Sequence, residues 1–135
     1  MPSTTTLELR THKRHEVLDI TSQVQDAVRA SGVTSGLCVV FCPHTTAAIA
    51  VNENTDPDVR TDLFHTLKRL VPKDDPAFRH AEGNSDAHTL SILAGAQQTF
   101  IIEQGKLLLG RWQAVYFIEL DGPRSRQAYV KVVAG

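Results

Sequence analysis

Gly36-Leu37-Cys38-Val39-Val40-Phe41-Cys42 decides the fold. Side chains alternate along an extended chain, so Leu37, Val39 and Phe41 fall on one face and Cys38, Val40 and Cys42 on the other. A strand apolar on both faces must be covered on both, by helices, a second sheet or another subunit. The two thiols lie roughly 13 Å apart along such a strand, too far to bridge. Reduced thiols place the chain in a cytoplasmic setting.

Upstream, residues 4–10 alternate Thr4, Thr6, Glu8 and Arg10 against Thr5, Leu7 and Leu9, as a half-buried strand does. Val17-Leu18-Asp19-Ile20 marks another strand. A helix then starts at a Thr21 or Ser22 cap, shares Val24, Ala27 and Val28 on one face, and stops at Gly32. Downstream, Ala47 to Asn52 reads as a strand. Asp56 caps the next helix, Pro57 takes its first position, and Val59, Leu63, Phe64, Leu67 and Leu70 form the stripe expected to be buried, up to the stop at Pro72. Asp86 to Ala94 gives a short helix ended by Gly95. Beyond it Thr99 to Glu103 and Leu107 to Leu120 are strands joined at Gln104-Gly105-Lys106, and Ala128 to Val133 closes the chain. Trp112, Ala114, Tyr116, Ile118 and Leu120 share one face of the long strand and read as core or subunit interface. The class is α+β, with largely antiparallel packed β-sheets and two to three helices in one domain spanning 1–135.

At 135 residues and 41% hydrophobic composition, folding removes roughly two-thirds of the unfolded surface from water. The net charge of −1 gives no reason to expect nucleic acid or acidic membranes as partners. No apolar run approaches the ~20 residues of a membrane span, and Met1-Pro2-Ser3-Thr4 lacks the basic-then-apolar start of a leader.

Polar residues concentrate in three clusters: Pro43-His44-Thr45-Thr46 with Asn52-Glu53-Asn54, His80 to His88, and Asp121-Gly122-Pro123-Arg124-Ser125-Arg126. His44, His80 and His88 are candidate metal ligands, since three neutral imidazoles and a water make an open zinc centre. Asp86 or Glu82 would orient a ring. The competing account is three loop histidines making ordinary hydrogen bonds. Glu53 follows an apolar strand, and partial burial there would fit it for general acid–base work; a carboxylate facing water is the alternative. Asn84, Ser85 and the amides opening the helix at Asp86 form an anion cradle or simply an N-cap. Arg124 and Arg126 suit bidentate phosphate binding, against structural pairing with Glu119 and Asp121. Thr45 and Thr46 add hydroxyl donors. His12, His15 and His65 receive no role.

Pro43-His44-Thr45-Thr46-Ala47-Ala48, Asn52-Glu53-Asn54, Glu82-Gly83-Asn84-Ser85-Asp86-Ala87-His88, Leu109-Gly110-Arg111-Trp112-Gln113 and Asp121-Gly122-Pro123-Arg124 stand in this order. Together they resemble the YjbQ family of small bacterial and archaeal proteins, over roughly residues 5 to 134. Arg111 stands where that family is expected to carry a small or hydroxyl residue, adding a cation beside Gln113. The resemblance implies a compact fold of packed β-sheets, a homotrimer, and a site of histidines and acids able to bind a metal. It also implies a secondary thiamine-phosphate synthase activity, joining a pyrimidine diphosphate to a thiazole phosphate with loss of diphosphate. On that expectation Glu53, Asn84 and Asp86 are catalytic. Thr45, Thr46, Ser85, Arg124 and Arg126 bind the phosphorylated metabolite, and a divalent ion, zinc or magnesium, sits on the histidines. Two rival expectations are a metal-dependent hydrolase of small phosphate esters and a non-catalytic module that binds a phosphorylated metabolite.

Overall fold

Among the described residues, alternating apolar side chains assemble eight strands into two antiparallel sheets. The computed structural model describes residues 4–135, so the part of the leader reading that rests on Met1-Pro2-Ser3 lies outside the described residues. Strands β1 (Thr4–Arg10), β2 (Glu16–Asp19), β3 (Gly36–Phe41), β4 (Ala47–Glu53), β5 (Gln97–Glu103), β6 (Lys106–Leu107), β7 (Gln113–Glu119) and β8 (Ser125–Ala134) are interleaved with α1 (Thr21–Ser31), α2 (Pro57–Leu70) and α3 (Ser85–Ala94). One sheet has the order β1-β8-β3-β5-β6 and the other β2-β7-β4. The α+β class with antiparallel sheets and three helices is therefore the observed one. Among the described residues no helix is long and apolar enough to cross a membrane.

The two sheets meet through Cys38, Val40, Phe100 and Val130 on one side and Ile49, Val115 and Phe117 on the other, with Val24, Ala27 and Val28 of α1 added. The period-2 pattern of β7 then sends Ala114, Tyr116 and Ile118 to the opposite face of the small sheet, where Ala87 and Leu90 of α3 cover them. The layers are thus sheet, sheet and helix.

Within one chain the strand Gly36–Phe41 is covered on the face of Cys38 and Val40, which are fully buried, while Leu37 and Phe41 are 47% and 40% exposed; cover of this second face by another subunit, which the sequence reading allowed, lies beyond a single chain. Two details depart from that reading. In α2 no residue is fully buried; Val59, Leu63, Phe64 and Leu67 are half-buried and Leu70 is exposed. The expected long strand from Leu107 to Leu120 is broken, because Gln113 folds back on Gly110, its Oε1 accepting the Gly110 amide at 2.7 Å. Trp112 consequently leaves the sheet. Within one chain it is exposed, not core, which leaves the subunit-interface alternative, and the Arg111 guanidinium lies 5.0 Å from its ring centre. The Gln104-Gly105 hairpin holds, Gly105 supplying φ +74° at the turn.

Candidate functional site

The β1–β2 connection, the β3–β4 connection, the turn between β7 and β8 and the start of α3 meet at one end of the sandwich. Their centre is Glu119, buried between the sheets. Its carboxylate accepts from Thr11 Oγ1 at 2.7 Å, from Arg126 Nε at 2.8 Å, and from the Leu120 and Asp121 amides at 3.0 Å each. Arg126 Nη2 also contacts Glu119 Oε2 and donates to the Thr46 hydroxyl at 2.8 Å and the Thr46 carbonyl at 3.1 Å. Arg126 is 3% exposed, so its guanidinium is taken up inside the protein. The sequence reading assigned Arg126 and Thr46 to phosphate; in the structure Nε and Nη2 of this arginine, one step beyond the turn on β8, are engaged with a buried acid and with Thr46.

Outside this pair lies a second, more accessible network. Asp121 Oδ2 accepts from Asn84 Nδ2 at 2.8 Å and from Arg124 Nη2 at 3.1 Å. Arg14 Nη2 donates to both oxygens of Asp86, at 3.0 and 3.1 Å, and its Nε lies 3.9 Å from Asp121 Oδ1. Asn84 occupies the N-cap position of α3 yet makes no capping hydrogen bond with its side chain. Its Nδ2 serves Asp121 instead, and its Oδ1 is buried without a partner among the described residues. Ser85 is half-buried on the first turn of α3, while Thr45 and Arg124 are exposed. The structure thus gathers Asn84, Asp86 and Arg124, and it adds Arg14, which the sequence reading missed.

The histidines divide. His80 and His88 lie side by side, ring centres 5.3 Å apart and planes perpendicular. His44 is half-buried elsewhere on this end; its Nε2 accepts the Gln127 amide at 2.8 Å and its ring meets the edge of Phe117. Burial first, and then the charge of Arg126, hold His44 below the usual histidine range. Among the described residues no three His, Cys, Asp or Glu side chains are placed to hold a metal ion. The expected three-histidine centre is therefore not assembled within one chain, because Nε2 of His44 is already committed to β8. Two imidazoles fall short of the three protein ligands of a catalytic zinc site, and no chemical step is assigned to an ion.

Glu53 stands apart. The register pairs Ala47 with Glu119 and Glu53 with Gln113, so six residue steps, about 20 Å, separate Glu53 from the Glu119 end of the sheet. Its surroundings are Tyr116, whose hydroxyl donates to the Glu53 carbonyl, and Asn54, which donates to Asp19 Oδ2 at 2.7 Å and receives Arg60. One cluster on paper is two ends of a strand in space.

The sequence reading also passed over His15, which stacks on Phe64 with ring centres 5.3 Å apart. Burial holds it below the usual range, aided by Arg14 and Lys68. The available signal was the basic run Lys13-Arg14-His15 set between two short strands, a position where charge is brought over the sheet end rather than out to water.

Known proteins are similar to this chain in sequence and in fold. A model of the family described as UPF0047 protein YjbQ-like matches residues 5–135. The UPF0047 protein YugU of Bacillus subtilis is 46% identical over 128 residues, covering 95% of this chain and 97% of YugU. A UPF0047 protein of Methanocaldococcus jannaschii is 49% identical over 126 residues, covering 93% and 91%. Among solved structures, a YjbQ/UPF0047 protein of Clostridium acetobutylicum superposes with a TM-score of 0.94 at 49% identity, covering 96% of this chain and 99% of that one. A protein of Sulfolobus solfataricus, described as YbjQ-like and of unknown function, gives 0.94 at 31% identity over 100% and 99%. Matched in sequence along nearly its whole length and in the course of its backbone, the chain belongs to the UPF0047 YjbQ-like family.

Proposed function

We propose that the chain is an enzyme acting on a small phosphorylated metabolite, with thiamine-phosphate synthase chemistry as its reaction. The observation that carries this reading is Asn84. Its amide is held by Asp121, which also pairs with Arg124, and its Oδ1 is buried with no hydrogen bond among the described residues. Leaving such an acceptor unpaired costs about 1–3 kcal/mol, which a ligand donor relieves. The exocyclic amine of an aminopyrimidine is such a donor. Arg124, exposed on its outer side, meets the diphosphate. In the reaction the bond between the pyrimidine methylene carbon and the diphosphate oxygen breaks, the electron pair leaving with the oxygen. The thiazole nitrogen lone pair then forms the new carbon–nitrogen bond, and no proton moves. Positioning and charge stabilisation suffice for this chemistry.

Glu53 enters this reading only from another subunit. The outward row Val133–Leu37–Ile101, in register across β8, β3 and β5 and 49%, 47% and 52% exposed, supports self-association into the homotrimer that is part of the proposal. A homotrimer would let the Glu53 end of one chain approach the Asn84 end of the next.

The test is direct. Purified protein incubated with the pyrimidine diphosphate and the thiazole phosphate should yield thiamine phosphate and diphosphate in equal amounts. Asn84→Leu should lower kcat/KM at least tenfold. Absence of product above the uncatalysed background would refute the synthase reading. The adjacent His80 and His88 rings leave a second reading, metal-assisted hydrolysis of a phosphate ester, which needs at least one further ligand from outside this chain; phosphate release that a chelator abolishes would select it.

A further inference from the structure

Beside the Arg14–Asp86 contact opens a cleft of about 610 Å3 that the proposed reaction does not use. The β1–β2 connection, the last turn of α2 with the residues after it, and the start of α3 wall it with Arg14, His15, Lys68, Lys73, Asp74 and Asp86. Three fixed cations therefore face two carboxylates. Asp86 is already occupied by Arg14 on both oxygens, and Asp74 lies 3.6 Å from Lys73 Nζ. Arg14 Nη1 sits 3.0 Å from His15 Nε2, where it donates to a neutral ring. Lys68 is exposed and makes no ion pair among the described residues. The cleft is thus left with uncompensated positive charge, in a volume within the usual range for small-molecule sites.

We propose that this cleft is an anion site that binds the phosphoryl group of a small metabolite, with Lys68 and Lys73 meeting its oxygens and Arg14 with His15 forming the floor. The proposal stands on the cleft and its charge, and it does not need the synthase reaction. The competing account is that Lys68 only offsets the negative end of the α2 dipole.

His15 reports on the difference. The charged groups acting on His15 are Arg14 and Lys68, which lower its pKa, and Asp86 and Asp121, which raise it; Lys73 and Asp74 complete the cleft wall, and Lys13, Glu16 and Arg60 line a second recess with it. A bound anion adds negative charge and moves its titration upward. The experiment follows the His15 ring by NMR as inorganic diphosphate is added at low, constant ionic strength. A saturable upward shift is expected in the wild type. Lys68→Glu, at an exposed position that leaves folding intact, should weaken the affinity at least fivefold, whereas Lys131→Ala on β8 should leave it unchanged. A His15 titration that ignores diphosphate, or equal affinity in Lys68→Glu, would overturn the site and leave dipole compensation as its explanation. The two proposals separate cleanly, because Arg124→Ala should abolish thiamine phosphate formation while keeping the diphosphate-dependent shift of His15. Loss of that shift in Arg124→Ala would place the anion at Arg124 and refute the cleft.

Discussion

Arg14 holds both carboxylate oxygens of Asp86, at 3.0 and 3.1 Å, across 72 residues of sequence. The Asp86 side chain is 2% exposed and that of Arg14 30%, so the acid depends on this one cation more than the cation depends on it. Replacing Arg14 with Met strands a buried charge and should cost about 3 kcal/mol, the low end for such a loss because water reaches the arginine. Adding Asp86→Asn to Arg14→Met should recover part of that. Urea unfolding of both single variants and the double variant measures the coupling; additive losses would show that the contact carries no energy of its own.

Glu119 makes the fold sensitive to acid. Burial pushes its carboxyl upward, but hydrogen bonds from Arg126, the Asp121 amide and Thr11, with the charge of Arg126, outweigh this and hold it below its ordinary 4.5. The unfolded chain then takes up the proton more readily than the folded one, so stability rises with pH through this range. Its contribution is complete above about pH 4.5 and is lost as pH falls through the lower folded value. Glu119→Gln should flatten the acid limb of a plot of unfolding free energy against pH. At neutral pH it should also cost about 3–5 kcal/mol by stranding Arg126.

His44 works in the same direction nearer neutrality. Because Nε2 accepts the Gln127 amide, the ring must be neutral with its proton on Nδ1. Burial and Arg126 keep its pKa below 6.5. Stability from this group is therefore present above about pH 6.5 and declines as pH falls through the lowered value. Nitrogen-15 spectra at pH 7 should show the Nδ1–H tautomer. A protonated ring, or the other tautomer, would mean that the strand contact is not made in solution.

Much of the fold was legible because it rests on local rules. Asp56 and Pro57 open α2 as their chemistry requires, Gly32 closes α1, and the alternation of β7 assigns Val115 and Phe117 to one core and Tyr116 and Ile118 to the other. The grouping of the site was only half legible. Asn84, Asp86 and Arg124 do come together, yet Glu53 lies at the far end of β4, because order in sequence does not say to which end of a strand a motif belongs. Arg126 looked like a surface cation until its β8 register turned it towards Glu119. Arg14 was missed because its partner is distant in sequence, and no local pattern predicts such a pair.

The turn at Asp121-Gly122-Pro123-Arg124 carries a structural demand as well as a chemical one. A Cβ on Gly122 would lie 2.3 Å from the Lys13 carbonyl oxygen and 2.8 Å from both Glu119 Cγ and Thr11 Oγ1. Backbone and buried side chains cannot yield together, so Gly122→Ala should destabilise by about 2 kcal/mol or more. The strain falls on the Thr11–Glu119 hydrogen bond, so part of this loss should vanish in a Thr11→Ala background. A Gly122→Ala protein as stable as the wild type in thermal unfolding would show that the connection between β1 and β2 is looser than this packing implies.

The uncovered face of the larger sheet gives the last expectation. Leu37 pairs with Ile101 on one side and Val133 on the other, and all three point away from the inner core. Three adjacent apolar side chains left in water forgo roughly 25 cal/mol for each Å2 that a partner would cover. Leu37→Glu places a charge at the centre of that row, where covering it would cost far more than the leucine gains. Light scattering should find the wild type associated and the variant reduced to single chains that still fold, with an unfolding transition lowered by the loss of the covering subunit. If Leu37→Glu kept the assembly intact, the subunits would have to meet through another surface, and Glu53 would need another route to the Asn84 end.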